Sequence, residues 1–173
     1  MVVYDIQDTE QAEAGTLDYS FMHHDHSRVL CQAVSTTMAF AEWFDVGFVW
    51  TNFFDEASAV LDEPRISQVM VNLLTNAAKF SHRGGRVEIS LTLVEDRCQV
   101  SVQDYGKGIP LDFHERVFDP FAQSDNTDTQ QSGGTDLGLS ISKSIVQRHG
   151  RKLDFEFTFD EGALFFFDLP TDG

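Results

Sequence analysis

The chain of 173 residues predicts an α/β protein, a two-layer α/β sandwich with one mixed sheet covered by helices on one face. Three observations predict it. Helical periodicity over 64–80 is strict. Two pairs of alternating segments, 87–102 and 153–169, each read as a hairpin. The elements follow in the order helix, strands, helix, hairpin, long polar loop, helix, hairpin, with no internal repeat. Sixteen Phe and 42% apolar residues supply enough material for one folded core.

Residues 1–19 are acidic and weakly apolar. Val29, Leu30, Ala33, Val34 and Thr37 sit at helical spacing and predict a helix over 25–43. Val46 to Asn52 reads as a strand, and Ala57 to Leu61 as a shorter one. Pro64 suits the first turn of a helix. From there Ile66, Val69, Met70, Leu73, Leu74 and Ala77 follow the i, i+3, i+4 rule until Ser81, and Gly84-Gly85 turns the chain. Val87, Ile89, Leu91 and Leu93 alternate with polar residues, as a strand with one buried face does. Glu95-Asp96-Arg97 turns it back into Cys98, Val100 and Val102. Phe121 to Gly134 is polar and aperiodic, and a loop of that length in a small domain is expected to be a mobile functional lid. Leu137, Ile141 and Ile145 open a helix that ends at Gly150. Leu153, Phe155, Phe157 and Phe159 alternate, Asp160-Glu161-Gly162 turns, and Phe165, Phe167 and Leu169 return.

Twelve basic residues stand against 28 acidic ones, a net charge of −16. This argues against DNA, RNA and anionic membrane surfaces, which need a basic footprint. No run approaches transmembrane length and none reads as a signal peptide. Cys31, on a helix, and Cys98, on a strand, are both expected as buried thiols, in keeping with a reducing, cytoplasmic setting without direct membrane contact.

Three segments carry chemistry. Asn72, Asn76 and Lys79 fall at i, i+4 and i+7, one stripe opposite the apolar stripe of their helix. An amide oxygen there can ligate magnesium and a Lys can meet a phosphate, although the same stripe would serve as a solvated face. Asp104 ends a strand and is followed by Gly106 and Gly108. Its carboxylate can accept a hydrogen bond from an adenine amine, and the glycines let backbone approach a flat ring; alone, the same residues make an ordinary turn. Gly133-Gly134-Thr135-Asp136-Leu137-Gly138-Leu139 opens a helix, and glycine-rich backbone at a helix N-terminus is an anion site.

In this order the segments resemble the catalytic, ATP-binding domain of sensor histidine kinases, of the GHKL (HATPase) superfamily with its Bergerat-type ATP-binding fold. Arg65 to Ser81 resembles the N box, Asp104 to Pro110 the first glycine box, Phe118-Asp119-Pro120-Phe121 the F box, and Gly134 to Leu139 the second glycine box. The resemblance implies ATP and Mg2+ as cofactors. It implies that Asn76 holds the metal and that Asn72 and Lys79 face the phosphates. Asp104 would read adenine beside Gly106, Gly108 and Ile109. Phe118 and Phe121 would anchor the lid, and Gly134, Thr135, Leu137, Gly138 and Leu139 would wrap the phosphates. The implied activity is that of a histidine protein kinase fragment in a two-component phosphorelay.

Glu13 to Asp18 resembles the segment leaving the last helix of a dimerisation and phosphoacceptor domain. Residues 1–19 are therefore expected to be the end of that domain and a linker, and residues 20–173 the catalytic domain. The acceptor histidine would lie upstream, the fragment alone would be inactive and monomeric, and a response regulator receiver domain would be the further partner. His23, His24 and His26 are expected as a solvated turn, with neither a catalytic nor a metal-binding role.

The pattern has departures. Asp136 stands where the family carries glycine, Tyr105 where it carries Asn, Gln130 about where related lids carry Arg, and Arg151 where a second glycine is usual. Between Val117 and Ser142 there are four Asp and no Lys or Arg. Two like charges about 4 Å apart at an effective dielectric near 20 repel by roughly 4 kcal/mol. A nucleotide-weak pseudokinase or regulatory docking module is the alternative. A gyrase-like or chaperone ATPase, or an anti-sigma serine kinase, would carry a Glu base at position 72, where Asn72 cannot take a proton.

Overall fold

The computed structural model describes residues 18–119, 138–158 and 161–172. The expected lid, and with it Phe121, Gly134, Thr135, Asp136 and Leu137, lies outside the described residues. In chain order the elements are β1 (Met22–Asp25), α1 (His26–Trp43), β2 (Gly47–Phe53), β3 (Ser58–Leu61), α2 (Glu63–Phe80), β4 (Arg86–Val94) and β5 (Arg97–Gln103). A 3-10 segment (Leu111–Arg116), α3 (Gly138–Arg148), β6 (Leu153–Thr158) and β7 (Gly162–Leu169) follow.

Five strands form one mixed sheet in the order β2-β4-β5-β7-β6. β2 pairs parallel with β4, and the other neighbours are antiparallel. Alternation dictates which face is buried. Val87, Ile89 and Leu91 of β4, Val100 and Val102 of β5, and Phe165 and Phe167 of β7 all point to the helical layer. The other face stays polar, with Ser90 and Ser101 hydroxyls 2.6 Å apart across β4–β5. The two-layer sandwich is thus as the sequence predicts, with one correction. β3 does not join the main sheet. It lies in the crossover from β2 to the parallel β4 and pairs antiparallel with β1 as a separate ribbon.

α2 is the centre of the helical layer, packed between α1 and α3. Asp62 caps it by accepting the Arg65 N–H at 2.9 Å, Pro64 sits in its first turn, and Ser81 ends it. Its stripe of Ile66, Val69, Met70, Leu73, Leu74, Ala77 and Ala78 is buried. Each fully buried Leu or Ile on it contributes about 2 kcal/mol of transfer free energy. The opposite stripe is left to display Asn72, Asn76 and Lys79, all half-buried.

Two further expectations are corrected. Cys31 is exposed, while Cys98 is buried. The buried stripe of α1 runs through Val29, Leu30, Ala33 and Val34, and Cys31 lies one helical step, about 100°, off Leu30. The histidine cluster is not a solvated turn. His23 and His24 belong to β1, where His23 pairs with Asp172 at 2.6 Å and His24 with Glu63 at 3.0 Å. His26 starts α1 with 0% exposure, and neither of its ring nitrogens has a hydrogen-bond partner among the described residues.

Burial pushes the His26 pKa down, against the pull of Asp25 and Asp172. A histidine depressed in the folded state contributes stability that is present above its unfolded value, near 6.5, and is lost as pH falls from there. His26→Leu is therefore expected to raise stability by about 1 kcal/mol or more at pH 7.5, since it removes a buried unpaired group. It should also reduce the loss between pH 7 and 5. Urea unfolding at several pH values measures both.

Candidate functional site

Two segments meet α2 here, the chain leaving β5 and the start of α3. At the C-terminal end of α2 the chain leaving β5 packs directly on the helix. A Cβ at Gly106 would strike the Phe80 carbonyl oxygen and stand 3.2 Å from Asp104 Oδ1. Only glycine lets the two backbones lie this close. Asp104, 5% exposed, is held from both sides. Its Oδ1 accepts the Gly106 N–H at 2.9 Å, and its own N–H donates to the Ala163 carbonyl at 3.0 Å. Burial raises its pKa, and the Gly106 and Ala163 backbone bonds and His82 pull it back. The site therefore contains one desolvated carboxyl on a loop that glycine lets pack against the end of α2.

A second glycine makes a similar close backbone contact. Gly162, at the start of β7, has φ +107 and lies against the turn after β5. A Cβ there would strike the Asp104 carbonyl oxygen and come within 2.8 Å of Tyr105 Cα. Tyr105 points the other way. Its hydroxyl donates to Glu88 Oε2 at 2.7 Å, and the Arg86 guanidinium lies over its ring at 5.4 Å. Gly108 has φ +72. Ile109 packs on the core edge with Phe118 and Leu139, and Lys143 of α3 sits 5.2 Å from the Phe118 ring centre.

At the other end of the polar stripe, Asn72 holds the start of α3. Its Nδ2 donates to Gly138 O at 3.1 Å and to Ser142 Oγ at 3.2 Å. A carbonyl only accepts, so this contact fixes which way the amide points. Asn72 thus does a job the sequence did not suggest, because it ties the segment leaving the lid to α2. Gly138 is tight against it, with a Cβ position 3.2 Å from Asn72 Cγ. Asn76 makes no side-chain hydrogen bond among the described residues, and Lys79 lies over its neighbour Phe80 at 5.7 Å. Among the described residues no group of three or more His, Cys, Asp or Glu could hold a metal ion.

The structure therefore brings Asn72, Gly138 and Ser142 together, and Asp104, Gly106 and Gly162 together. Ser142, fully buried, and Gly162 were not singled out by sequence. Ser142 was legible as a hydroxyl on the apolar stripe of its helix, beside Ile141 and Ile145. Gly162 reads as a plain hairpin turn, and only the fold shows what it leans on.

Comparison with known proteins gives the family and the fold. The family model described as histidine kinase-, DNA gyrase B-, and HSP90-like ATPase matches residues 61–173. The chain is 31% identical over 171 residues to the circadian input-output histidine kinase CikA of Synechococcus elongatus, which covers 98% of the chain and 23% of that protein. It is 39% identical over 112 residues to the sensor histidine kinase WalK of Bacillus subtilis, covering 64% of the chain and 18% of that protein. The chain thus spans less than a quarter of either relative. Among solved structures, full-length ShkA in complex with AMPPNP superposes with a TM-score of 0.83 at 26% identity, over 98% of this chain and 35% of that one. The catalytic domain of histidine kinase ThkA superposes with a TM-score of 0.75 at 25% identity, over 88% and 96% respectively.

Proposed function

Because the chain belongs to the histidine kinase-, DNA gyrase B- and HSP90-like ATPase family, we propose that it binds ATP and delivers the γ-phosphate to a histidine on a separate domain. The observation that carries this reading is the desolvated Asp104, whose Oδ1 is tied to the Gly106 N–H. A purine amine is the donor such a carboxylate suits. The residues also fit a magnesium nucleotide. Asn76 offers an amide with no partner among the described residues, and magnesium typically takes one or two protein ligands and completes its shell with phosphate and water oxygens. Asn76 would hold that ion, which supplies charge neutralisation on the phosphates. Lys79 would meet a phosphate as a point charge. Asn72 would act by fixing Gly138, where the second glycine box enters α3. Catalysis on this reading is positioning and charge compensation.

The proposed partners are an upstream dimerisation and phosphoacceptor domain, joined through residues 1–19, and a response regulator receiver domain. The named relatives are kinases, which favours this reading over a nucleotide-weak docking module. Among the described residues no helix is long and apolar enough to cross a membrane, in keeping with the proposed cytoplasmic setting.

Calorimetric titration of the chain with ATP and excess Mg2+ tests the reading, which fails if no heat of binding is seen. Asp136→Gly is expected to tighten ATP by about tenfold, or ~1.4 kcal/mol, and ADP by less, by removing a charge from the phosphate-facing loop. The chain by itself is expected to take up no acid-labile phosphate from ATP. Label on His23, His24 or His26 would overturn the proposed boundary at residue 19.

A further inference from the structure

The most heavily built contact outside the site is where the entering chain crosses the helical layer. Asp62, 3% exposed, accepts two N–H groups on its carboxylate: Ser20 at 2.6 Å and Arg65 at 2.9 Å. Its own N–H donates to His149 Nε2 at 3.0 Å, while His149 Nδ1 lies 2.8 Å from the Ile145 carbonyl. A carbonyl accepts and an N–H donates, so the ring is a neutral tautomer with its proton on Nδ1. Tyr19 and Phe21 stack on one another and set their rings against the imidazole, Phe21 at 5.0 Å. Guanidinium groups of Arg65 and Arg148 lie over Tyr19 at 5.8 and 5.6 Å. Tyr19–Phe21 is thus a strap laid over the N-terminus of α2 and the C-terminus of α3.

His149 cannot slide out of this contact. Gly150 follows it at φ +71, and the bonds from Gly150 N–H to Gln147 O (2.9 Å) and from Arg151 N–H to Val146 O (3.1 Å) close the helix end tightly. The same helix, about 16 Å long, begins at Gly138 against Asn72. One rigid element therefore touches the strap at one end and the proposed phosphate face at the other.

We propose that His149 is a positioning residue which, through its Nδ1–H and its Nε2 lone pair, locks the Tyr19–Phe21 strap to α2 and α3 and so couples the entering chain to nucleotide affinity. The proposal rests on the nucleotide reading above. Coupling is reciprocal. A docked strap tightens the nucleotide, and a bound nucleotide tightens the strap.

Protonation breaks the lock, because His149 Nε2–H would face the Asp62 N–H, donor against donor. The charged and titratable groups around the ring are Asp62 and Arg65 from α2 and its cap, Arg148 from α3, and Tyr19 from the strap. Asp62 pulls the His149 pKa up, but burial is the larger influence and depresses it. The lock is intact at and above the ordinary histidine value, near 6.5, and is lost as pH falls through the depressed folded value below it.

The test measures ADP–Mg2+ affinity in the full chain, His149→Gln, His149→Phe and Ser20→Pro, and hydrogen exchange of the Ser20 amide in the first three. Gln offers both a donor and an acceptor without titrating. Phe keeps the shape and offers neither. Pro removes the Ser20 N–H without touching the core. The expected result is Ser20 protection that falls at least tenfold between pH 7.5 and 5.5 in the parent, stays constant in His149→Gln and is absent in His149→Phe. ADP–Mg2+ should bind three- to tenfold more weakly to His149→Phe and Ser20→Pro, and should raise Ser20 protection in the parent by a matching factor. Unchanged ADP affinity in a folded Ser20→Pro variant, with the parent binding normally, overturns the coupling alone. A pH effect on Ser20 that survives in His149→Gln arises from another group and overturns the role of His149. No ADP binding by the parent overturns the nucleotide reading and this proposal with it.

Discussion

Asp104→Asn is expected to weaken adenine nucleotide binding by at least tenfold while leaving the fold as stable as before or more so. The geometry makes both halves of that statement. Gly106 N–H donates to Asp104 Oδ1, and an asparagine must keep its oxygen there. Its amide nitrogen then takes the place of the other carboxylate oxygen, Oδ2, and would meet the ligand's exocyclic amine donor to donor. Loss of a charged hydrogen bond costs about 1.5–3 kcal/mol before that mismatch is added. The fold gains, because burial holds the carboxyl pKa above its ordinary value. A raised carboxyl favours folding only while protonated, so its contribution falls as pH rises past about 4 and is a cost at neutral pH. Asparagine carries no such cost. Calorimetry with ATP–Mg2+ and urea unfolding at pH 7.5 read the two effects separately. Undiminished affinity would show that Asp104 does not touch the base.

Gly162→Ala is expected to do the reverse, damaging fold and site together. The residue holds φ +107, which L side chains rarely adopt, and its Cβ would land on the Asp104 carbonyl. Backbone strain costs about 1–3 kcal/mol and forced overpacking about as much again. The obstacle is main chain, so no rotamer change relieves it. A loss of about 3 kcal/mol in stability and a further tenfold loss in nucleotide affinity are expected, since the only relief is to push the Asp104–Tyr105 turn away from α2. Thermal melting and the same titration check it. A variant with parental stability would mean that the β6–β7 turn moves freely of the Asp104 loop.

Sequence made the core elements plain because their periods are long and pure. The α2 stripe keeps one face through four turns, and β4 and β5 alternate apolar with polar residues. It did not disclose β1. Met22-His23-His24-Asp25 has no alternation, and its partner β3 lies more than thirty residues on, so nothing local announces the pairing. Cys31 was misjudged by residue type when its helical position already pointed outward. At the site, Asp104 and Gly106 were legible as a pair because a carboxylate followed by glycines is a chemical pattern. Asn72 was placed on the correct stripe, but its partners Gly138 and Ser142 lie about seventy residues away. His149 read as a helix-end residue, and its importance comes from Asp62 and Ser20, which reach it from distant parts of the chain.

The β1–β3 ribbon has a consequence for how the domain is carried within a longer polypeptide. Asp172 donates its N–H to Ser58 O, and its carboxylate pairs with His23. The points where the chain enters and leaves the fold are therefore neighbours on one small ribbon. A domain with adjoining entry and exit can be spliced into the loop of another protein without forcing that loop apart. It can equally be followed directly by another module that sits beside whatever precedes residue 18. The fold is in this sense a plug-in unit: wherever it is joined to other units, connector length rather than its own diameter sets the spacing.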